Sequence, residues 1–222
     1  MNPTNGGIMT TPQRQSPAQI LREYRFPEVP GVHGVTHDGH HVWFAADDGL
    51  RAFDPGSGRQ VRHLDLPADA GTAFDGKHLY QIAGDRIQKI ALDSGEVVGS
   101  VPAPGDGQNS GMAWAEGFLW IGRYHEDRIL QVRPDTGEVL RSLPSTRHVT
   151  GVSWVDGELW HGTWQDDTSD LRRIDPRDGQ VLCVLDMPAG TGVSGLESDG
   201  ADTFYCGGGD EGLVRAVKRP RG

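Results

Sequence analysis

Glu197 is the residue whose chemistry stands out first. The chain carries five similar segments that open on Gly34, Gly71, Gly111, Gly151 and Gly195, and two positions after each glycine stand Thr36, Ala73, Ala113, Ser153 and Glu197. One carboxylate therefore replaces small residues in a column of an internal repeat. A carboxyl beside a channel, partly withdrawn from water, has its pKa raised, which fits it to take up and return a proton near neutral pH. The same residue could instead be a structural acceptor for backbone amides or for an arginine such as Arg123.

Histidines form the second group. In the column just before the glycine, His33 is the outlier among Ala70, Ser110, Thr150 and Ser194, while Asn109 and His148 lead into the third and fourth segments. The third segment inserts Arg123-Tyr124-His125-Glu126-Asp127 and the fourth Trp164-Gln165-Asp166-Asp167, where the second has only Ala83-Gly84-Asp85. His161 follows the aromatic of the fourth segment, a place that Phe44, Gln81, Ile121 and Cys206 fill elsewhere. The expected catalytic set is Glu197, His148 and His33, with Asn109, Arg123, Tyr124, His125, His161 and Trp164 as substrate contacts. Such groups support acid/base catalysis, and an arginine or a divalent metal (Mg or Ca) would stabilise an enolate or oxyanion. No HxH or HxxxH pattern supports a metal site at His125-Glu126-Asp127. His161 also fits packing beneath Trp160 or Trp164, and His125-Glu126-Asp127 fits a solvated turn.

These residues need a scaffold, and the repeat supplies it. The opening glycines are 37, 40, 40 and 44 residues apart, the length of a four-stranded propeller blade. GMAWAEGFLWIG at position 111 and GVSWVDGELWHG at 151 are the clearest copies. Each segment gives a strand, an Asp-Gly or Glu-Gly hairpin, and a second strand bearing Trp43, Tyr80, Trp120, Trp160 or Tyr205 as a core aromatic. A third strand then ends in a turn such as Asp54-Pro55-Gly56-Ser57-Gly58, and an outer strand follows. The fifth segment lacks its outer strand. Residues 20–27, ILREYRFP, match the outer strand VLRSLP at 139–144 and are expected to complete that blade, which removes the unpaired edges of an open array.

The fold class is therefore all-β, a five-bladed β-propeller of four-stranded antiparallel blades closed by an N-terminal outer strand. Residues 1–17 are expected to be a disordered tail, 18–217 one propeller domain and 218–222 a solvated basic tail. The expected site is the mouth of the central channel, where the loops between blades meet those joining second and third strands.

A net charge of -10 at pH 7 argues against nucleic acid or an anionic membrane as partner. No apolar run approaches the roughly 18 residues of a membrane span, and the N-terminus has no secretory-signal pattern. Cys183 and Cys206 show no zinc or redox spacing. These readings point to reduced, buried thiols in a cytoplasmic protein that acts on a small-molecule substrate or ligand. They leave the oligomeric state open.

Phrases such as Asp54-Pro55-Gly56-Ser57-Gly58, Arg133-Pro134-Asp135-Thr136-Gly137-Glu138-Val139 and Gly117-Phe118-Leu119-Trp120-Ile121-Gly122 resemble the plant-type glutaminyl cyclases (glutamine cyclotransferases) and, more distantly, the virginiamycin B lyases. The cyclase resemblance implies five blades, an acidic residue at the channel that Glu197 would supply, and a structural calcium. The lyase resemblance implies a metal held by histidine and glutamate, for which His148, His125 and Glu197 are the candidates. The expected activity is acid/base or metal-assisted elimination, cyclisation or hydrolysis in the central funnel. The alternative is a non-catalytic module binding a peptide, protein or small ligand, with Tyr124, Trp164 and Trp114 as loop anchors.

Overall fold

The tight turns fix the strands. Glu116 and Asp156 have φ of 53° and are followed by Gly117 at 83° and Gly157 at 75°, the pair of left-handed residues that a two-residue hairpin requires. At the other three hairpins an aspartate does the same work. Asp38, Asp75 and Asp199 each accept backbone amides from the residues that follow them.

The structure, a computed structural model, describes residues 14–209 and 212–221. Blade one is β3 (Gly34–His37), β4 (Val42–Ala46), β5 (Gly49–Phe53) and β6 (Gln60–Leu64). Blade two is β7 (Thr72–Phe74), β8 (His78–Ala83), β9 (Arg86–Ala91) and β10 (Val97–Pro102). Blade three is β11 (Asn109–Ala115), β12 (Phe118–Arg123), β13 (Arg128–Val132) and β14 (Val139–Pro144). Blade four is β15 (His148–Val155), β16 (Glu158–Gln165), β17 (Thr168–Ile174) and β18 (Val181–Asp186). Blade five is β19 (Leu196–Ser198), β20 (Thr203–Gly207) and β21 (Leu213–Lys218), completed by β2 (Ile20–Arg25), which pairs antiparallel with β21. The five-bladed propeller and its closure by an N-terminal strand are as the repeat implies.

Two features depart from the expected boundaries. β1 (Arg14–Pro17), counted above with the disordered tail, pairs parallel with β18 and makes blade four five-stranded. The remainder of that tail, residues 1–13, lies outside the described residues. At the other end Lys218 belongs to β21, and Arg219 is buried, with Nη1 2.7 Å from Asp156 and Nη2 3.3 Å from Glu158. The basic tail is thus not simply solvated. The arginine is spent on the hairpin of blade four.

The aromatic column is core as expected. Trp43, Trp120 and Trp160 are fully buried, and Tyr80 and Tyr205 nearly so. These rings fill the seams between blades: Tyr80 stacks on Trp114 at 5.3 Å, Trp120 on Trp154 at 5.4 Å and Tyr205 on His37 at 5.9 Å. Trp114 accordingly belongs to a seam and not to a binding loop. Cys183 and Cys206 are free and buried.

The opening glycines have a purpose the repeat did not reveal. A Cβ built on Gly34 would lie within 3.0 Å of the backbone at Ala70 and Gly71; one on Gly71 would meet Gly111, one on Gly111 Gly151, one on Gly151 Gly195, and one on Gly195 Gly34 and Val35. Neighbouring inner strands therefore touch backbone to backbone in a closed circle of five glycines. This circle pinches the central channel, dividing the mouth from the barrel of inner-strand residues beneath it.

Candidate functional site

Above the glycine circle lies a cavity of about 490 Å³. All five blades contribute to its wall, including His33, Asp69, Asn109, Tyr124, Trp164 and Ser194. The floor is made by the residues just before the glycines. Ser110 Oγ donates to the Val149 carbonyl of the next blade at 2.6 Å, and Ser194 Oγ donates to that of Val32. These bonds run from one blade to the next and keep the floor rigid.

Four expected site residues line this cavity: His33, Asn109, Tyr124 and Trp164. His33 Nε2 lies 2.7 Å from Asp47 Oδ1. His148, the cross-strand neighbour of Trp164, places Nδ1 2.8 Å from Asp127 Oδ1. A carboxylate bonded to one ring nitrogen keeps the proton there, leaving the other nitrogen to accept or deliver one. His148 also packs against Tyr124, with ring centres 4.8 Å apart, and His125 closes the group at 4.7 Å from Tyr124. Burial and the nearby Asp127 carboxylate push the Tyr124 phenol up, so it remains a hydrogen-bond donor at neutral pH.

Arg123 is not a wall residue. It is only 2% exposed and its guanidinium is fully engaged. Nη1 donates to the Pro104 carbonyl at 2.8 Å and to Asn109 Oδ1 at 3.0 Å, while Nε and Nη2 donate to Glu126 and Nη2 also to Asp106. Its work is to tie the loop at 103–110 to β12 and orient the Asn109 amide. Its carboxylate partners are Glu126 and Asp106, not Glu197.

His161 is fully buried inside blade four, and desolvation first, then the positive charge of Arg172, pushes it down to about 4. It is a neutral core residue, the packing role set beside the functional one above.

Glu197 lies on the far side of the glycine circle from the cavity. Its Cα is three residues beyond Ser194, about 10 Å further along an extended inner strand. There Oε1 accepts from Ser153 Oγ at 2.7 Å and from the Ser198 amide at 2.8 Å, and Oε2 from Thr36 Oγ1 at 3.3 Å. Thr36 and Ser153 are its own column neighbours on blades one and four. Burial raises its carboxyl to about 7, against the pull of these donors. It retains some exposure to the narrow channel, yet protein surrounds it closely, and the desolvation is what matters for its titration.

Glu197, His148 and His125 do not converge, so the metal ligands implied by the lyase resemblance are not brought together. Among the described residues no three of His, Cys, Asp and Glu are grouped to hold a metal ion. Residues 210 and 211, part of one mouth loop, lie outside the described residues. Sequence reasoning missed Asp47, Asp127 as a histidine partner, and Asp69. Each stands in a mouth loop, which was the available signal, but their pairings join separate loops and leave no spacing rule.

This chain matches no protein-family model, and no curated relative is similar to it in sequence. In structure it is similar to the crystal structure of Myxococcus xanthus glutaminyl cyclase, with a TM-score of 0.76 at 17% identity, covering 93% of this chain and 98% of that one. At that identity the similarity is one of fold. No helix among the described residues is long and apolar enough to cross a membrane.

Proposed function

We propose that the mouth cavity is the active site of a small-molecule enzyme that performs acid/base acyl chemistry, an intramolecular cyclisation of cyclotransferase type. The observation that carries this reading is His33, hydrogen-bonded to Asp47 behind it, in the wall of a cavity closed beneath by the glycine circle. At about 490 Å³ the cavity suits a small molecule or one terminal residue of a peptide.

In such a reaction an amine nitrogen attacks a carboxamide carbon of the same molecule. A C–N bond forms, the carbonyl oxygen gains charge, and the bond to the leaving nitrogen breaks to release ammonia. The His33 ring takes the proton from the attacking nitrogen and returns it to the leaving one, so no net proton is consumed. The Tyr124 phenol is the donor available in the wall to the developing oxyanion. Trp164 supplies an apolar face for the rest of the substrate. Glu197 in this reading does not contact substrate; it ties blades one, four and five together below the circle.

The test is ammonia release from N-terminal glutaminyl peptides by the wild-type chain and by His33→Gln. Turnover by the wild type, with a loss of about 10²–10⁴-fold in kcat for the variant at unchanged melting temperature, is expected. A variant with undiminished turnover would sink the assignment. Binding of these peptides by the wild type without ammonia release would make the cavity a recognition site.

A further inference from the structure

Each blade carries one row across its second, third and outer strands. The rows read Trp43–Ala52–Arg62, Tyr80–Lys89–Gly99, Trp120–Gln131–Arg141, Trp160–Arg173–Cys183 and Tyr205–Ala216–Arg22. In three of the five, the outer-strand residue is an arginine laid over an aromatic ring: Arg62 at 5.7 Å from Trp43, Arg141 at 5.0 Å from Trp120 and Arg22 at 4.7 Å from Tyr24.

Two of these arginines also bolt their blade to the next. Arg62 donates to the carbonyls of Leu92 and Asp93, and Arg22 to those of Pro55 and Gly56. The acceptors are equivalent. Both pairs sit in the turn before the outer strand, where Gly58 N donates to Asp54 O and Gly95 N to Ala91 O. In blade three the same turn is closed by Gly137 N donating to Arg133 O, so the matching carbonyls are those of Pro134 and Asp135.

The blade that should bolt to them is blade two, and there the arginine position is Gly99. A cavity of about 400 Å³ opens at this seam, lined by Gly99, the stacked Tyr80 and Trp114, Lys89, Pro134 and Asp135. Nothing lies within 4 Å of where a Cβ of Gly99 would be.

We propose that this seam cavity is a binding site for a guanidinium group supplied from outside the chain, seated on the Tyr80–Trp114 platform and donating to the Pro134 and Asp135 carbonyls. The chain's own Arg62 shows that a second-strand ring and the next blade's turn carbonyls together accept a guanidinium, whose flat face stacks while its edge donates, and Arg22 reaches the equivalent carbonyls from over Tyr24 of its own strand. The exposed Asp135 carboxylate adds charge of the right sign. Lys89 holds its ammonium 5.5 Å from the Tyr80 ring and lowers the affinity by like-charge repulsion. The guanidinium has two possible sources, a small free compound or an arginine within an extended segment lying along β10. That edge carries no charged residue and exposes Val97 and Val98 at 48% and 55%. In blade four the corresponding edge already accepts an extended strand, β1.

The experiment is a titration of the full chain, followed by amide chemical shifts, with N-acetyl-arginine methylamide, its lysine counterpart, and a seven-residue extended peptide with one central arginine. Saturable binding of the capped arginine is expected with Kd on the order of millimolar. The lysine compound should bind about tenfold more weakly. Gly99→Arg, whose own side chain fills the seat, should lose binding and raise the melting temperature. Gly99→Leu blocks the seat by bulk and serves if the arginine variant does not fold. Lys89→Met should tighten binding severalfold. Peptide binding about tenfold tighter than that of the capped arginine assigns the source to a strand on β10, and equal binding assigns it to a free compound; both uphold the site. The proposal is overturned if arginine and lysine compounds bind alike, if position 99 substitutions leave binding unchanged, or if Lys89→Met abolishes it, as it would for an anionic ligand.

Discussion

Replacing Glu197 by Gln tests the placement of this carboxyl below the glycine circle. The carboxyl titrates at about 7 in the fold against an ordinary 4.5, because burial disfavours its charged form. Below pH 4.5 it is protonated in both folded and unfolded chains and has no effect on stability. As pH rises from there the unfolded chain loses the proton while the folded chain keeps it, so the wild type loses about 1.4 kcal/mol of stability per pH unit until the folded group ionises. The full loss is about 3 kcal/mol as an upper bound, since the residue is not wholly withdrawn from solvent. The amide of the Glu197→Gln variant cannot ionise, and its oxygen can still accept from Ser153 and Ser198. Urea unfolding of both proteins between about pH 4 and 9 isolates the effect, because every other titrating group is common to the two. The variant should match the wild type near pH 4.5 and exceed it increasingly up to about pH 7, with a constant advantage above. A stability difference that does not change with pH would refute the reasoning. Turnover should survive in the variant, whereas a carboxyl that transfers the substrate proton would take activity with it.

Other perturbations separate the parts of the fold. Gly111→Ala should cost about 3 kcal/mol or more, because the new Cβ overlaps the Gly151 backbone, and denaturant melts would show it. His161 is pushed from 6.5 to about 4, so the wild type loses stability as pH falls through that interval. His161→Phe should remove the loss and, relative to its value at about pH 8, gain about 2 kcal/mol at about pH 5 in urea midpoints. Arg123→Met leaves the Pro104 carbonyl and Asn109 Oδ1 without their donor, which should cost about 1–3 kcal/mol and speed amide exchange in residues 103–110.

The blade count and the closing strand were legible because a repeat is its own alignment: one copy, Gly111 onward, calibrates the others. Glu197 was legible as an outlier, but its depth was not. Gly195 and Leu196 separate it from Ser194 of the cavity wall, and only the mutual contact of the five glycines shows that the channel narrows between them. The His33–Asp47 pair was hidden because it joins the entry of blade one to that blade's own β4–β5 turn, and the His148–Asp127 pair because it joins blade four to a turn of blade three, neither of which leaves a spacing rule in the sequence. β1 was hidden for a different reason. Its sequence, RQSP, has no apolar alternation, and its pairing to β18 is made by backbone. The gap at Gly99 was readable in the outer-strand column, yet its meaning depends on where Arg22 and Arg62 place their guanidinium groups.

The parallel strand β1 bears on how the ring is assembled during synthesis. β2 is synthesised long before its partner β21; Glu23 and Arg215, which bond across that pair, are 192 residues apart. A closure of that span is entropically costly and slow. β18, however, is complete before β21 is made, and β1 can dock on it while Ala18 and Gln19 alone separate β1 from β2. Docking of β1 on β18 would thereby moor β2 beside the gap it fills, so that its pairing with β21 becomes a short local step in place of a search across the intervening chain.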